Sequence, residues 1–195
     1  MSREHGERRE LNVTLSVVAL ISNADQTELL LVQNKEIGGW GPPAGALKWL
    51  GSENRMETFT EGIERELHEE TGLNVEQPRI TAIVNLPGEA KNHIGVVYSF
   101  SVELEEEECH PEDGEEISNV RFHSEDELIR LLSGEATISR PEFNRGLNVW
   151  WLRNKHRDNW DSFSGTTYPL DWNVVLDERY LKKWENKPVE EIFKP

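Results

Sequence analysis

Arg65-Glu66-Leu67-His68-Glu69-Glu70-Thr71-Gly72-Leu73 is the stretch on which the reading of this chain turns. At about 100° per residue, Phe59, Ile63 and Leu67 line up as one apolar stripe of a helix. On the same wheel Glu66 and Glu70 fall roughly 20° either side of Phe59, and Glu69 about 80° to the other side. Two of the three glutamates therefore share the face that should be buried. Carboxylates there are costly unless positive charge offsets them. Arg65 can pair with Glu69 at i,i+4, but one arginine does not neutralise three acids. A hard divalent cation does, and clustered carboxylate oxygens suit Mg²⁺ or Mn²⁺, ions that also bridge phosphates. A merely solvated, glutamate-rich helix would carry its acids opposite the apolar stripe, and this one does not.

Working outward, Thr58-x-x-Glu61 fits a capping box and Gly72 a C-terminal stop, so the helix is expected over 58–71. Upstream, Leu11 to Ser22 and Glu28 to Gln33 read as a β-hairpin about the turn Asn23-Ala24-Asp25. Gly38-Gly39 and Gly41-Pro42-Pro43-Ala44-Gly45 read as an irregular loop. Downstream, Ile80 to Leu86, Ile94 to Leu104 and Ile117 to Phe122 are strand candidates, with an acidic loop from Glu105 to Glu116. Ser124 opens a second helix running to Leu132, and Pro141 to Asn154 reads as a third. Strands interrupted by one helix, then strands, then helices, predict an α/β fold: a mixed β-sheet covered on both faces. Residues 1–157 are expected to form that domain. The segment 158–195, with Trp160, Trp172 and Trp184 among polar residues, is an extension that either wraps the domain or joins a partner in a homodimer.

The segment from Gly51 to Leu73 resembles the Nudix box, G-x5-E-x7-R-E-U-x-E-E-x-G-U with U aliphatic. Gly51, Glu57, Arg65, Glu66, Leu67, Glu69, Glu70, Gly72 and Leu73 meet its fixed positions. The resemblance covers the box strongly, the surrounding strands fairly, and nothing beyond Asn154. It implies a Nudix-type α/β/α sandwich. It implies metal-dependent hydrolysis of a diphosphate linkage in a nucleoside diphosphate joined to another moiety: a nucleotide sugar, an ADP-ribose-like compound or a nucleoside triphosphate. Glu66, Glu69 and Glu70 would be metal ligands, with the backbone near Ala46 lining the site, and Arg65 would orient a carboxylate. Mg²⁺ would be the cofactor, Mn²⁺ a substitute. One feature departs from the family. The Pro-Gly-Gly-like element, here Pro43-Ala44-Gly45, lies six residues ahead of Gly51. Either the loop carries an insertion, or Gly51 meets the spacing by accident.

Further candidates lie outside the helix. Glu116, just before the strand at Ile117, stands where the family often has an additional catalytic glutamate. Its alternative is a solvated acidic loop. Trp40 can stack on a base or pack in the core. Lys48 and Arg55 can meet phosphates or serve as surface charges. The 195 residues carry a net charge of −16, from 37 acidic and 21 basic side chains. That field repels nucleic acid, so the expected partner is a small diphosphate substrate reached through a cation. A single cysteine, Cys109, excludes an internal disulfide and suits the cytoplasm. The apolar run Val13 to Ile21 is too short to span a bilayer, so no membrane role is expected. Three rival readings exist. A non-catalytic Nudix-fold nucleotide sensor would show a broken box, a prenyl diphosphate isomerase would need a better-placed cysteine, and an RNA-processing hydrolase would need a basic patch.

Overall fold

The computed structural model describes residues 13–74, 79–87, 92–103, 109–112 and 114–138. Strand β1 (Val13–Asn23) is apolar on both sides over Val17 to Ile21, the pattern of a central strand, and every one of those five residues is buried. It runs parallel to β8 (Asn92–Val102) in unbroken register from Val13↔Asn92 to Asn23↔Val102. Its far end turns antiparallel into β2 (Glu28–Asn34) at Ile21↔Leu30. The asparagine side chain of Asn23 ties that turn, accepting from the N–H groups of Thr27 and Glu28 at 2.9 and 3.0 Å. Outside β8 lies β7 (Arg79–Pro87), antiparallel to it. β9 (Ile117–Ser124) pairs antiparallel with β2.

The glycine- and proline-rich stretch expected to be irregular carries two short strands. β3 (Trp40–Gly41) pairs with β2, and β4 (Ala44–Ala46) pairs with β1 through Ser16↔Ala46 and Val18↔Ala44. The central strand supplies free main-chain groups there, and pairing satisfies them. Among the described residues the result is a seven-stranded mixed sheet. A separate hairpin, β5 (Trp49–Leu50) with β6 (Arg55–Met56), stands between β4 and the first helix.

Helix α1 (Phe59–Thr71) begins at Thr58, whose hydroxyl accepts from the Glu61 N–H while Glu61 reaches back to the Thr58 N–H. It ends at Gly72 in the left-handed conformation, φ 73°. A Cβ at Gly72 would also lie 2.4 Å from the His110 carbonyl oxygen, so the loop behind the helix requires glycine on two counts. Ile63 and Leu67 are fully buried against Val17, Ala19, Ile21, Leu30 and Val32. Each such side chain contributes about 1.5–3 kcal/mol. Residues of alternate parity, Val18, Leu20, Leu29 and Leu31, face the other side. Helix α2 (Glu125–Ser133) packs against β9 and buries Leu128, Leu131 and Leu132. It is capped by Ser124 and Glu127 as Thr58 and Glu61 cap α1. The helix expected over Pro141 to Asn154 and the 158–195 extension lie outside the described residues.

Candidate active site

The burial of the glutamates follows the helical wheel. Glu66 and Glu70 are 8% and 7% exposed, whereas the Glu69 side chain is 34% exposed. What offsets their charge is a set of cations supplied by the chain. Arg65 Nε and Nη2 donate to the two oxygens of Glu57 at 2.7 and 2.9 Å. Its Nη1 donates to Glu66 at 2.6 Å and to Glu69 at 2.9 Å, and Nη2 also reaches the Ala46 carbonyl at 3.0 Å. Lys48 Nζ donates to both oxygens of Glu69 at 3.1 and 3.2 Å. Glu70 accepts from the Ala44 N–H at 2.9 Å. One arginine thus serves three carboxylates, and β4 supplies backbone to the rest. Held in this way, no three His, Cys, Asp or Glu side chains among the described residues gather closely enough to grip an ion as they stand.

The electrostatics follow from burial and from Arg65. Burial pushes the Glu66 carboxyl above the usual carboxylate range, against the pull of Arg65. Glu57 moves the other way, held low by its hydrogen bonds from Arg65 against the effect of its own burial. A carboxylate that is buried, raised and bonded at one oxygen is poised for a compensating cation. Its second neighbour is Gly45. A Cβ there would sit 2.0 Å from Glu66 Oε1 and 2.4 Å from Oε2. The glycine leaves a cradle in which the carboxylate lies against bare main chain. Carboxylate oxygens with nearby carbonyls form the hard donor set that divalent cations take, so the residues present fit such an ion.

The match of the chain to known families is decisive. The NUDIX domain model matches residues 13–147. The chain belongs to the Nudix family. Family and fold make it a pyrophosphohydrolase that acts on acid anhydrides, and Nudix hydrolases generally use divalent cations. No curated protein matches it. Among solved structures it is similar to the MutT protein of Methanosarcina mazei Go1, at 25% identity and TM-score 0.56, covering 77% of this chain and all of that one. It shares its fold with the NUDIX domain of Shewanella oneidensis NrtR, complexed with ADP ribose, at 16% identity and TM-score 0.55, over 77% of this chain and 91% of that one. It also shares its fold with a UDP-X diphosphatase, at 19% identity and TM-score 0.54, over 80% and 68% of the two chains.

The structure separates the two glycines that compete for the start of the Nudix box. Gly45 abuts Glu66, whereas Gly51 has nothing within 4 Å of where a Cβ would be. Gly51 sits in the turn of the β5–β6 hairpin. That hairpin lies between the Pro43-Ala44-Gly45 element and Glu57, and Glu57 still meets Arg65. Alternation of Lys48-Trp49-Leu50 and Arg55-Met56 about Gly-Ser-Glu-Asn was the sequence signal for it. The hairpin also displays Trp49, 59% exposed.

The remaining candidates make other contacts. Arg55 bonds Glu61 through Nη1 and Nη2, both at 2.7 Å, and Glu53 through Nε at 2.8 Å. It therefore pins the hairpin to the head of α1. Trp40 is buried, edge-on to the His123 ring at 4.5 Å with the Arg121 guanidinium 5.2 Å above it. His123 follows Phe122, a residue of the α1-side core, and so lies on the opposite face of the sheet. Trp40 packs there, away from the carboxylates. Glu116 is exposed at the head of β9, its carbonyl accepting from the Lys35 N–H at 2.9 Å. Lys35 Nζ also donates to the Gly114 carbonyl, tying this loop to the end of β2. His68 faces the Glu112 carboxylate at 3.2 Å. Cys109 is buried in the α1-side core.

Proposed function

We propose that this Nudix enzyme is a Mg²⁺-dependent hydrolase, with Mn²⁺ as substitute, of a nucleoside diphosphate joined to a second moiety. That compound is a nucleotide sugar, an ADP-ribose-like compound or a nucleoside triphosphate. Glu66, Glu69 and Glu70 hold the cation, with the Ala46 carbonyl beside them. The observation that carries this reading is the Glu66 carboxylate, buried against the bare backbone of Gly45 and braced by Arg65 at 2.6 Å. A bound divalent cation supplies the positive charge that draws in the diphosphate and makes an attacking water more acidic.

The chain's own groups do the rest. Arg65, fixed by Glu57, keeps Glu66 and Glu69 in place. Lys48 stands beside Glu69 and meets a phosphate oxygen of the substrate. Glu116 is proposed as the base that takes the proton of the attacking water. Oxygen of that water bonds to one phosphorus, the bridging P–O bond breaks, and the second phosphate leaves with the electron pair. Substrate choice lies with the loops and not with α1. Composition supports a cytoplasmic location, and no helix among the described residues is long and apolar enough to cross a membrane. The extension 158–195 is proposed as a wrap or homodimer contact.

The test is hydrolysis with Mg²⁺ or Mn²⁺ of ADP-ribose, nucleotide sugars, dinucleoside polyphosphates and nucleoside triphosphates, with Glu70→Gln as control. Cleavage of one class that collapses in the variant is expected. Equal rates in both proteins across the panel would refute the assignment, and tight binding without turnover would favour a sensor.

A further inference from the structure

Lys48 joins the β5–β6 hairpin to α1 in an asymmetric way. Its backbone N–H is fixed by Glu57 at 2.7 Å, and its carbonyl accepts from the Glu57 N–H at 3.0 Å. The main chain is therefore anchored to a buried residue. The side chain is not: it is 55% exposed and swings on a flexible four-carbon stem. Among the described residues its Nζ bonds to Glu69 alone, at both oxygens. Arg65, the other cation on Glu69, is held by Glu57, Glu66 and the Ala46 carbonyl as well. Of the two positive charges on Glu69, one is fixed and the other is free to leave.

We infer that Lys48 is an exchangeable counter-ion, which neutralises Glu69 until a divalent cation takes that carboxylate and then turns to a phosphate oxygen of the substrate. This rests on Glu69 being a ligand, as proposed above. A doubly charged ion attracts a carboxylate more strongly than an ammonium does, and it repels an ammonium left beside it. The substrate phosphates give the displaced ammonium a new acceptor. The exchange links the two binding events: substrate that draws Lys48 off Glu69 tightens cation binding, and the cation tightens substrate binding by the same factor.

The test is calorimetric titration of Mn²⁺ into the full chain, as wild type, Lys48→Met, Glu69→Gln and the double variant, without substrate. Lys48→Met should lower the Mn²⁺ Kd by about two- to five-fold, the range of a partly exposed ion pair. The gain should vanish in the Glu69→Gln background. In turnover at saturating Mn²⁺, Lys48→Met should raise KM for the diphosphate, with KM carrying most of the change. Unchanged or weaker Mn²⁺ binding in Lys48→Met, or a gain that persists without Glu69, overturns the inference. A wild type that takes up no Mn²⁺ at all is a different result: it overturns the ligand set, and the inference with it.

Discussion

Replacing Gly45 with alanine tests whether the cradle beneath Glu66 is the working glycine of this site. The new Cβ would lie 2.0 Å from Glu66 Oε1, where ordinary contact begins at 3.4 Å. The carboxylate must therefore retreat by roughly 1.4 Å, the difference between those two distances. The 2.6 Å bond from Arg65 does not survive a movement of that size. Glu66 sits at the end of a flexible side chain, so the fold yields there more readily than it would at backbone. The expected stability loss is about 1–3 kcal/mol, one charged hydrogen bond. Function should suffer far more, since a misplacement near 1 Å costs on the order of a hundredfold in rate. The assay is kcat on the substrate class found by the panel, alongside a urea midpoint. Gly51→Ala is the contrast: nothing stands within 4 Å of its Cβ, and it should lose less than about 0.5 kcal/mol and no activity. Equal kcat in Gly45→Ala and wild type, or an equal loss in the Gly51 variant, would refute the cradle.

Other outcomes follow from the same contacts. Glu57→Gln removes the bidentate partner of Arg65 and should cost about 2 kcal/mol together with most of the activity, read by denaturant titration and turnover. Thr58→Ala deletes the α1 cap and should cost about 1 kcal/mol with kcat and KM held, provided α1 stays folded at the assay temperature. Burial, then Arg121, pushes His123 down from 6.5 to about 4, so the fold favours the neutral ring. Its contribution is complete above pH 6.5 and is lost as pH falls toward about 4, at most about 1.4 kcal/mol per pH unit. His123→Phe should flatten that limb of the stability profile; an unchanged slope contradicts the burial argument.

Local chemistry was legible in the sequence. The cap at Thr58 with Glu61, the stop at Gly72 and the cap at Ser124 set helix limits through contacts three or four residues apart. The wheel alone placed Glu66 and Glu70 inward and Glu69 at the rim. Long-range pairing was not legible. Gly45 and Glu66 meet only because β4 pairs with β1 beneath α1, so spacing favoured Gly51, which meets the motif without a contact. Trp40 lies beside a glycine-rich loop in sequence, yet β3 carries it to the far face with His123. The acid cluster called for positive charge and Lys48 stood among the candidate cations, but the β5–β6 hairpin next to it rests on a turn to which the sequence assigned no element.

The central claim is that Glu66, Glu69 and Glu70 of this chain hold a divalent cation. The most direct measurement is an anomalous difference map from crystals of the protein grown with saturating Mn²⁺. The account predicts a peak at coordination distance from oxygens of those three side chains, with Lys48 withdrawn from Glu69. A map with no peak there, and Lys48 still bonded to Glu69, would contradict it.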